Sequence, residues 1–236
     1  MMRKPLSRFY PVLPVMHPYS PQQISRVLIL ISLCFTLASE LGNVVTYDPG
    51  NPDTYRLGPA FPQKNRYIEW LSLDFGRSLP AWYTALLFLA DALLIGALAV
   101  RAVPRYVQAV YWLGLSIFFA GLFLDKLIQL HLLVPAALRN RMAAGWMLWG
   151  IPGSLVAYAS FRLLPPRLLG WFGLAGALFA GSYATDRLGE EFAGQYSGHH
   201  MVAALMGDAE GTMEMLGAVA VLHGVLIYGR NRSDGR

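Results

Sequence analysis

The sequence predicts an all-α, polytopic transmembrane helical bundle of six spans, with both termini in the cytoplasm. Three observations predict it. The 236 residues are 55% hydrophobic and only 14% charged, where a soluble domain carries about 25% charged residues, and the mean hydropathy is +0.41. Six apolar stretches approach the roughly 20 residues that cross a bilayer core. Lysine and arginine are sorted between alternate connections, as the positive-inside rule requires.

Residues 1–26 hold Pro5, Pro11, Pro14, Pro18 and Pro21, a spacing that excludes a helix and predicts an irregular cytoplasmic arm. The membrane domain then covers 27–229. Its first span is expected at 27–45; Thr36-Leu37-Ala38 resembles a signal-peptide cleavage site, but the leader is long and the apolar run continues beyond it, so a retained span is expected. An outer loop, 46–78, follows. Within it Asn65 to Phe75 mixes aromatic and charged residues, a pattern suited to a short helix at the membrane surface.

Ser78-Leu79-Pro80 reads as a helix start, with a capping hydroxyl and a proline in the first turn, and span two is expected at 80–100. Span three is expected at 106–124, with helix continuing towards Val134 before Pro135. Span four is expected at 142–161, kinked at Gly150-Ile151-Pro152-Gly153. Pro165-Pro166 separates it from span five at 168–184. A polar outer segment, 185–209, leads to span six at 210–228, and residues 230–236 form a cytoplasmic tail.

With six spans, one side receives 1–26, 101–105, 162–167 and 230–236. These segments hold Arg3, Lys4, Arg8, Arg26, Arg101, Arg105, Arg162, Arg167, Arg230, Arg232 and Arg236, eleven of the 19 basic residues, and a single acid, Asp234, of the 14. This sorting places both ends inside a cell inner membrane and leaves the carboxylates outside or within it. The net charge of +5 is therefore read as topology. Nucleic-acid binding is not expected, because no basic run is interleaved with aromatics. Cys34 is the one cysteine, which excludes an internal disulfide and a multi-cysteine metal site.

A charged side chain inside a span costs roughly 2.5–3.5 kcal/mol on insertion scales, so each one asks for a reason. Glu40 lies near the outer end of span one, Asp91 mid-way along span two, and Asp125 at the outer end of span three with His131 beyond. Glu190, Glu191, His199 and His200 fall in the last outer segment, and Glu210 and Glu214 open span six. Glu210 and Glu214 are four apart and share a helix face. They could share a proton or ligate a hard metal, or simply sit at a helix N-terminus, where negative charge is favoured. Asp125 could pair with Lys126 or join a metal site with His131, His199, His200, Glu210 and Glu214. A divalent metal is the only cofactor these residues suggest, and none is fixed by the sequence. Asp91 and His223 lie at similar depth and could pair, or each could bond a backbone carbonyl or water. Gly173, Ala177 and Gly181 form a small-residue stripe for close packing within the chain or in a homodimer. No G-x-S-x-G, H-E-x-x-H, phosphate-loop or haem-attachment motif is present.

Three segments also carry a resemblance: Leu73-Asp74 leading to Leu79-Pro80-Ala81-Trp82-Tyr83, Leu124-Asp125 with His131, and Glu210-Gly211-Thr212-Met213-Glu214-Met215-Leu216-Gly217. The chain resembles a family of uncharacterised bacterial multi-pass membrane proteins with Asp-Glu, four residues, His-Glu and E-E-T-x-E-M-x-G motifs. It departs from that pattern at Lys126, Leu132 and Gly211, where the family tends to have glutamates. The resemblance implies part of an acidic set without implying an activity.

Three functions stay open. A non-catalytic subunit or scaffold of a membrane assembly, contacting lipids and protein subunits, is the leading expectation. An intramembrane, metal-dependent hydrolase would use the outer acid and histidine residues. A proton- or ion-coupled transporter would use Asp91 and His223.

Overall fold

The computed structural model describes residues 19–46, 70, 71, 73, 78–128, 149–195 and 200–233. Among them are six helices and no strand: α1 (Pro21–Thr46), α2 (Leu79–Arg101), α3 (Tyr106–Ile128), α4 (Ile151–Leu163), α5 (Pro166–Gln195) and α6 (His200–Ser233). Five of them, all but α4, are long and apolar enough to cross a membrane. The described part of α4 has 13 residues, and residues 142–148 of the expected fourth span lie outside the described ones. So do most of the expected surface helix at 65–75 and the expected extension of span three towards Val134.

Three boundaries differ from expectation. The last part of the arm, 21–26, is helical. Ser20 Oγ accepts from the Gln23 N–H at 3.2 Å, and Gln23 Oε1 accepts from the Ser20 N–H at 2.8 Å. This reciprocal capping box tolerates Pro21 in the first turn, where its missing N–H is no loss. At the other boundaries, α5 runs on to Gln195 and α6 already starts at His200, so most of segment 185–209 is helix. Hydropathy marks where a helix leaves an apolar environment, not where its backbone hydrogen bonds stop. The start of α2 follows the sequence reading: Ser78 Oγ accepts from the Ala81 N–H at 3.3 Å with Pro80 in the first turn. Trp149 and Gly150 are wound as a wide π-type turn just before Pro152, which is where the fourth span was expected to bend.

The packed pairs α5–α6, α1–α6, α2–α3 and α3–α4 run antiparallel. Gly181 of α5 lies against Met213 of α6, Phe179 against Gly217, and Leu168 and Trp171 against Gly224. On the other side of α6, Ser25 of α1 bonds His223, Thr36 bonds Thr212 and Ser39 bonds Asp208. α2 meets α3 through Phe88–Phe119 and through the Ser116 hydroxyl, which donates to the Ala92 carbonyl at 2.7 Å. α4 joins α3 by the Tyr111–Ser160 hydroxyl bond of 2.7 Å. The start of α1 and the end of α6 therefore lie together at one end of the bundle.

That end is basic. Arg26, Arg101, Arg105, Arg162, Arg167 and Arg230 are all exposed there. The opposite end carries Glu40, Asp125, Asp186, Asp208, Glu210 and Glu214, with Lys126 and Arg187 as the described cations. Between the ends the exposed surface is apolar, including Leu30, Leu37, Leu86, Leu93, Ile117 and Leu155.

The expected stripe in α5 is split. Gly181 packs against Met213, but nothing lies within 4 Å of a Cβ built on Gly173, and Ala177 is exposed. Gly217 is the less yielding contact: a Cβ there would meet the Phe179 ring at 2.9 Å, and that ring is held against both Phe88 and Phe119, whereas the thioether that faces Gly181 can turn aside. Gly217→Ala is expected to destabilise the bundle by about 1–2 kcal/mol through overpacking. Gly173→Ala should be neutral or stabilising by up to about 1 kcal/mol through helix propensity. Equilibrium unfolding in detergent checks the pair, and equal effects would contradict this packing.

Candidate functional site

The polar chemistry gathers at the acidic end and along the seam between α1 and α6. Helix α1 is inside-out. Ser25, Ser32, Ser39 and Asn43 are buried while Leu30, Leu33, Leu37 and Leu41 are exposed. Together with half-buried Thr36 they fall in two seven-residue series, Ser25-Ser32-Ser39 and Thr36-Asn43, so they keep to one helix face. α6 answers with Asp208, Thr212 and His223, spaced to share a face.

Asp208 anchors this seam. It is fully buried. Ser39 Oγ donates to its Oδ1 at 2.6 Å and Asn43 Nδ2 donates to its Oδ2 at 2.8 Å. Ser39 Oγ in turn accepts from the Leu73 N–H at 3.0 Å. One turn along, the Thr36 and Thr212 hydroxyls are 2.7 Å apart, and Thr212 donates to the Asp208 carbonyl at 2.7 Å. Asp208 was not among the residues singled out from the sequence. The signal that finds it is the heptad spacing of small polar residues in an otherwise apolar α1, which requires a polar partner helix.

Beside the seam, Lys126 Nζ of α3 lies 2.5 Å from Glu214 Oε2 of α6, with both side chains partly buried. Glu210 and Asp125 are close enough for their charges to act on the same ammonium. Asp125 Oδ2 also accepts from Trp149 Nε1 at 3.2 Å. The structure thus brings Asp125, Glu210 and Glu214 together around Lys126. Glu210 and Glu214 do not open a helix, because α6 starts ten residues earlier at His200. Their charge is answered by Lys126 and not by a helix N-terminus. Glu40 is half-buried on α1. His131 and His199 lie outside the described residues; Glu190, Glu191 and His200 are on described helix, but their side chains are not described. Among the described residues, no three His, Cys, Asp or Glu side chains gather as a metal site.

The three segments that carry the sequence resemblance meet at this end. Leu73 lies against Gly211, where a Cβ would approach the Leu73 side chain to 3.2 Å, and Asp125-Lys126 lies against Glu210 and Glu214. Gly211 is thus a place where the chain before α2 seats on α6, and a glutamate there would have to displace Leu73.

Asp91 and His223 do not pair. His223 Nδ1 is 2.7 Å from Ser25 Oγ, and its ring stacks edge-on against Trp171 at 4.3 Å between centroids. Asp91 is fully buried, and neither carboxyl oxygen has a hydrogen-bond partner among the described residues.

A family model described as a domain of unknown function (DUF8692) matches residues 23–228. No curated protein and no solved structure matches the chain.

The seam makes an energetic claim. Asp208→Ala strands the Ser39 hydroxyl and the Asn43 amide in a buried interface and is expected to cost about 3 kcal/mol. Thr36→Ala removes one interhelical hydroxyl bond and should cost nearer ~0.6 kcal/mol, the average for such bonds in membranes. Steric-trap or denaturant unfolding of the two variants checks the order, and a cost for Asp208→Ala no larger than that for Thr36→Ala would remove Asp208 from the centre of the seam.

Proposed function

The chain belongs to the family described as a domain of unknown function (DUF8692), and from that premise and the geometry of its polar groups we propose that it is a non-catalytic subunit or scaffold of a membrane assembly. It crosses a bacterial inner membrane six times with both termini in the cytoplasm. α4 and residues 142–148 together form the fourth crossing. The grouping of Arg26, Arg101, Arg105, Arg162, Arg167 and Arg230 at one end supports this orientation. So does the antiparallel pairing of α1 with α6, which puts the start of α1 and the end of α6 at the same end of the bundle.

One observation carries the role. Polar side chains of α6 are spent on partners from neighbouring helices: His223 with Ser25, Asp208 with Ser39 and Asn43, Glu214 with Lys126. The cavity between α3 and α4 is lined instead by mainly apolar and aromatic residues. Such an interior suits holding a shape for partner subunits. The exposed Gly173 and Ala177 of α5 offer a face for a subunit or a second copy to approach closely.

A second reading rests on Asp91. An unpartnered, fully buried carboxyl in the middle of a span is a default functional candidate, and it favours a proton- or ion-coupled transporter.

Two measurements separate the readings. Reporter fusions at both termini should report the cytoplasm, and mild-detergent purification should yield a complex of fixed stoichiometry. A lone monomer sinks the scaffold. Asp91→Asn should leave assembly and growth unchanged; an intact assembly that loses an uptake activity would move the assignment to transport.

A further inference from the structure

The helices divide into a tightly packed group and one loose neighbour. α4 leaves a cavity of about 500 Å³ against α3, inside the ~300–1,000 Å³ range of small-molecule sites. Its floor is Tyr111, Leu115 and Phe118, and its walls are Val110 and Ile117 on α3 and Leu155 on α4. The wall residues are exposed, so the cleft opens sideways onto the apolar belt of the bundle. At its centre Gly114 leaves space: nothing lies within 4 Å of a Cβ built there.

Position and length identify the occupant class. The lining on α3 runs from Val110 to Gly121, about 16 Å along a helix. That is roughly half of the ~30 Å hydrocarbon core, one leaflet deep. The cleft starts about one turn inside the basic end. At its mouth, Arg162 stands seven residues after Leu155, on the same face of α4, with its guanidinium 5.5 Å above the Tyr158 ring. Arg105 and Arg167 flank the same end. All three are exposed, and none makes an ion pair among the described residues. An apolar slot one leaflet deep below an exposed guanidinium matches a molecule with an acyl chain beneath a phosphate.

We propose that the α3–α4 cleft is a binding site for an anionic phospholipid, with one acyl chain along Gly114 and Leu155 and its phosphate at Arg162. The site is independent of the scaffold reading, because it needs only the basic end to lie at a membrane interface.

The test uses the full chain in mild detergent, titrated with phosphatidylglycerol or with phosphatidylcholine of identical acyl chains and read by native mass spectrometry. The expected result is one retained phosphatidylglycerol, preferred about tenfold or more. Arg162→Gln should lower that preference about fivefold, the worth of one arginine near an anionic surface. Arg105→Gln combined with Arg162→Gln and Arg167→Gln should abolish it. Gly114→Phe fills the slot and should remove binding of both lipids while the melting temperature without lipid stays near that of the parent chain. Should Gly114→Phe fail to fold, the arginine variants decide alone, since these exposed side chains make no ion pair among the described residues that folding would depend on. Equal retention of the two lipids, a preference untouched by the arginine changes, or a folded Gly114→Phe that still binds overturns the site. So does a thermal shift by inorganic phosphate alone that equals the shift by phosphatidylglycerol, because that result would mark a free-anion site without an acyl slot.

Discussion

The structure depends on one constraint: in lipid, a polar side chain has to find its partner inside the bundle. Water would satisfy the hydroxyls of Ser25, Ser32, Thr36 and Ser39 anywhere on a soluble surface. In an apolar surround they turn inward and the leucines turn out. The inversion of α1 follows, and with it the place of α6, which alone carries Asp208, Thr212 and His223 at matching heights. Each bond is weak by itself, but they act in register over nearly the full length of α1, from Ser25 to Asn43. A one-residue slip would separate the hydroxyls from their acceptors while the exposed leucines would notice little, so the seam fixes register where apolar contact cannot.

The same constraint explains the acidic end. A lone carboxylate at Glu214 would be expensive so near the bundle interior, and Lys126 answers it from a different helix. Surface ion pairs are worth little, at about 0–1 kcal/mol. This pair is partly shielded, and its main effect is to tie the far ends of α3 and α6, which are also joined at the basic end by the Trp112–Tyr228 ring contact at 5.4 Å. Asp125, held by Trp149, extends the tie to the entry of α4. Three helices are thus fastened at one end by a single lysine set among three carboxylates.

Much of this was legible in the sequence, and the misses have physical causes. The apolar runs located the five long helices, Ser78 and Pro80 located the start of α2, and the arginines located one end of the bundle. These are one-dimensional signals, set by burial length and by charge counted along the chain. The helix over 185–195 and 200–209 was missed because a polar segment was read by its hydropathy, and a helix flanked by solvent or head groups is not required to be apolar. Asp208 was missed for the same reason: it was counted in the polar segment before the sixth span and becomes informative only when the hydroxyls of α1 are seen to point at it. Asp91 and His223 were candidates for one pair because both were expected mid-span. Pairing across a bundle depends on helix azimuth as well as depth, and azimuth put His223 against Ser25.

Among the described residues, Asp91 differs in its surroundings from Asp208, Lys126 and His223. Asp208 has two donors, Lys126 has three carboxylates near it, and His223 has a hydroxyl and an indole. Asp91 has Phe88 and Ile95 one turn away on its own helix, both buried, and no described donor. Packing does not explain a carboxyl there, since an apolar residue of similar size would fill the space without losing hydration. Nor does register, because the contact of α2 with α3 is already set by Ser116 on the Ala92 carbonyl and by Gly96, where an added Cβ would meet the Ser116 hydroxyl at 3.1 Å. A fully buried carboxyl that contributes to neither packing nor register is a candidate for function, and the transporter reading rests on it. For that reason the scaffold reading stands or falls on Asp91 more than on any residue of the seam.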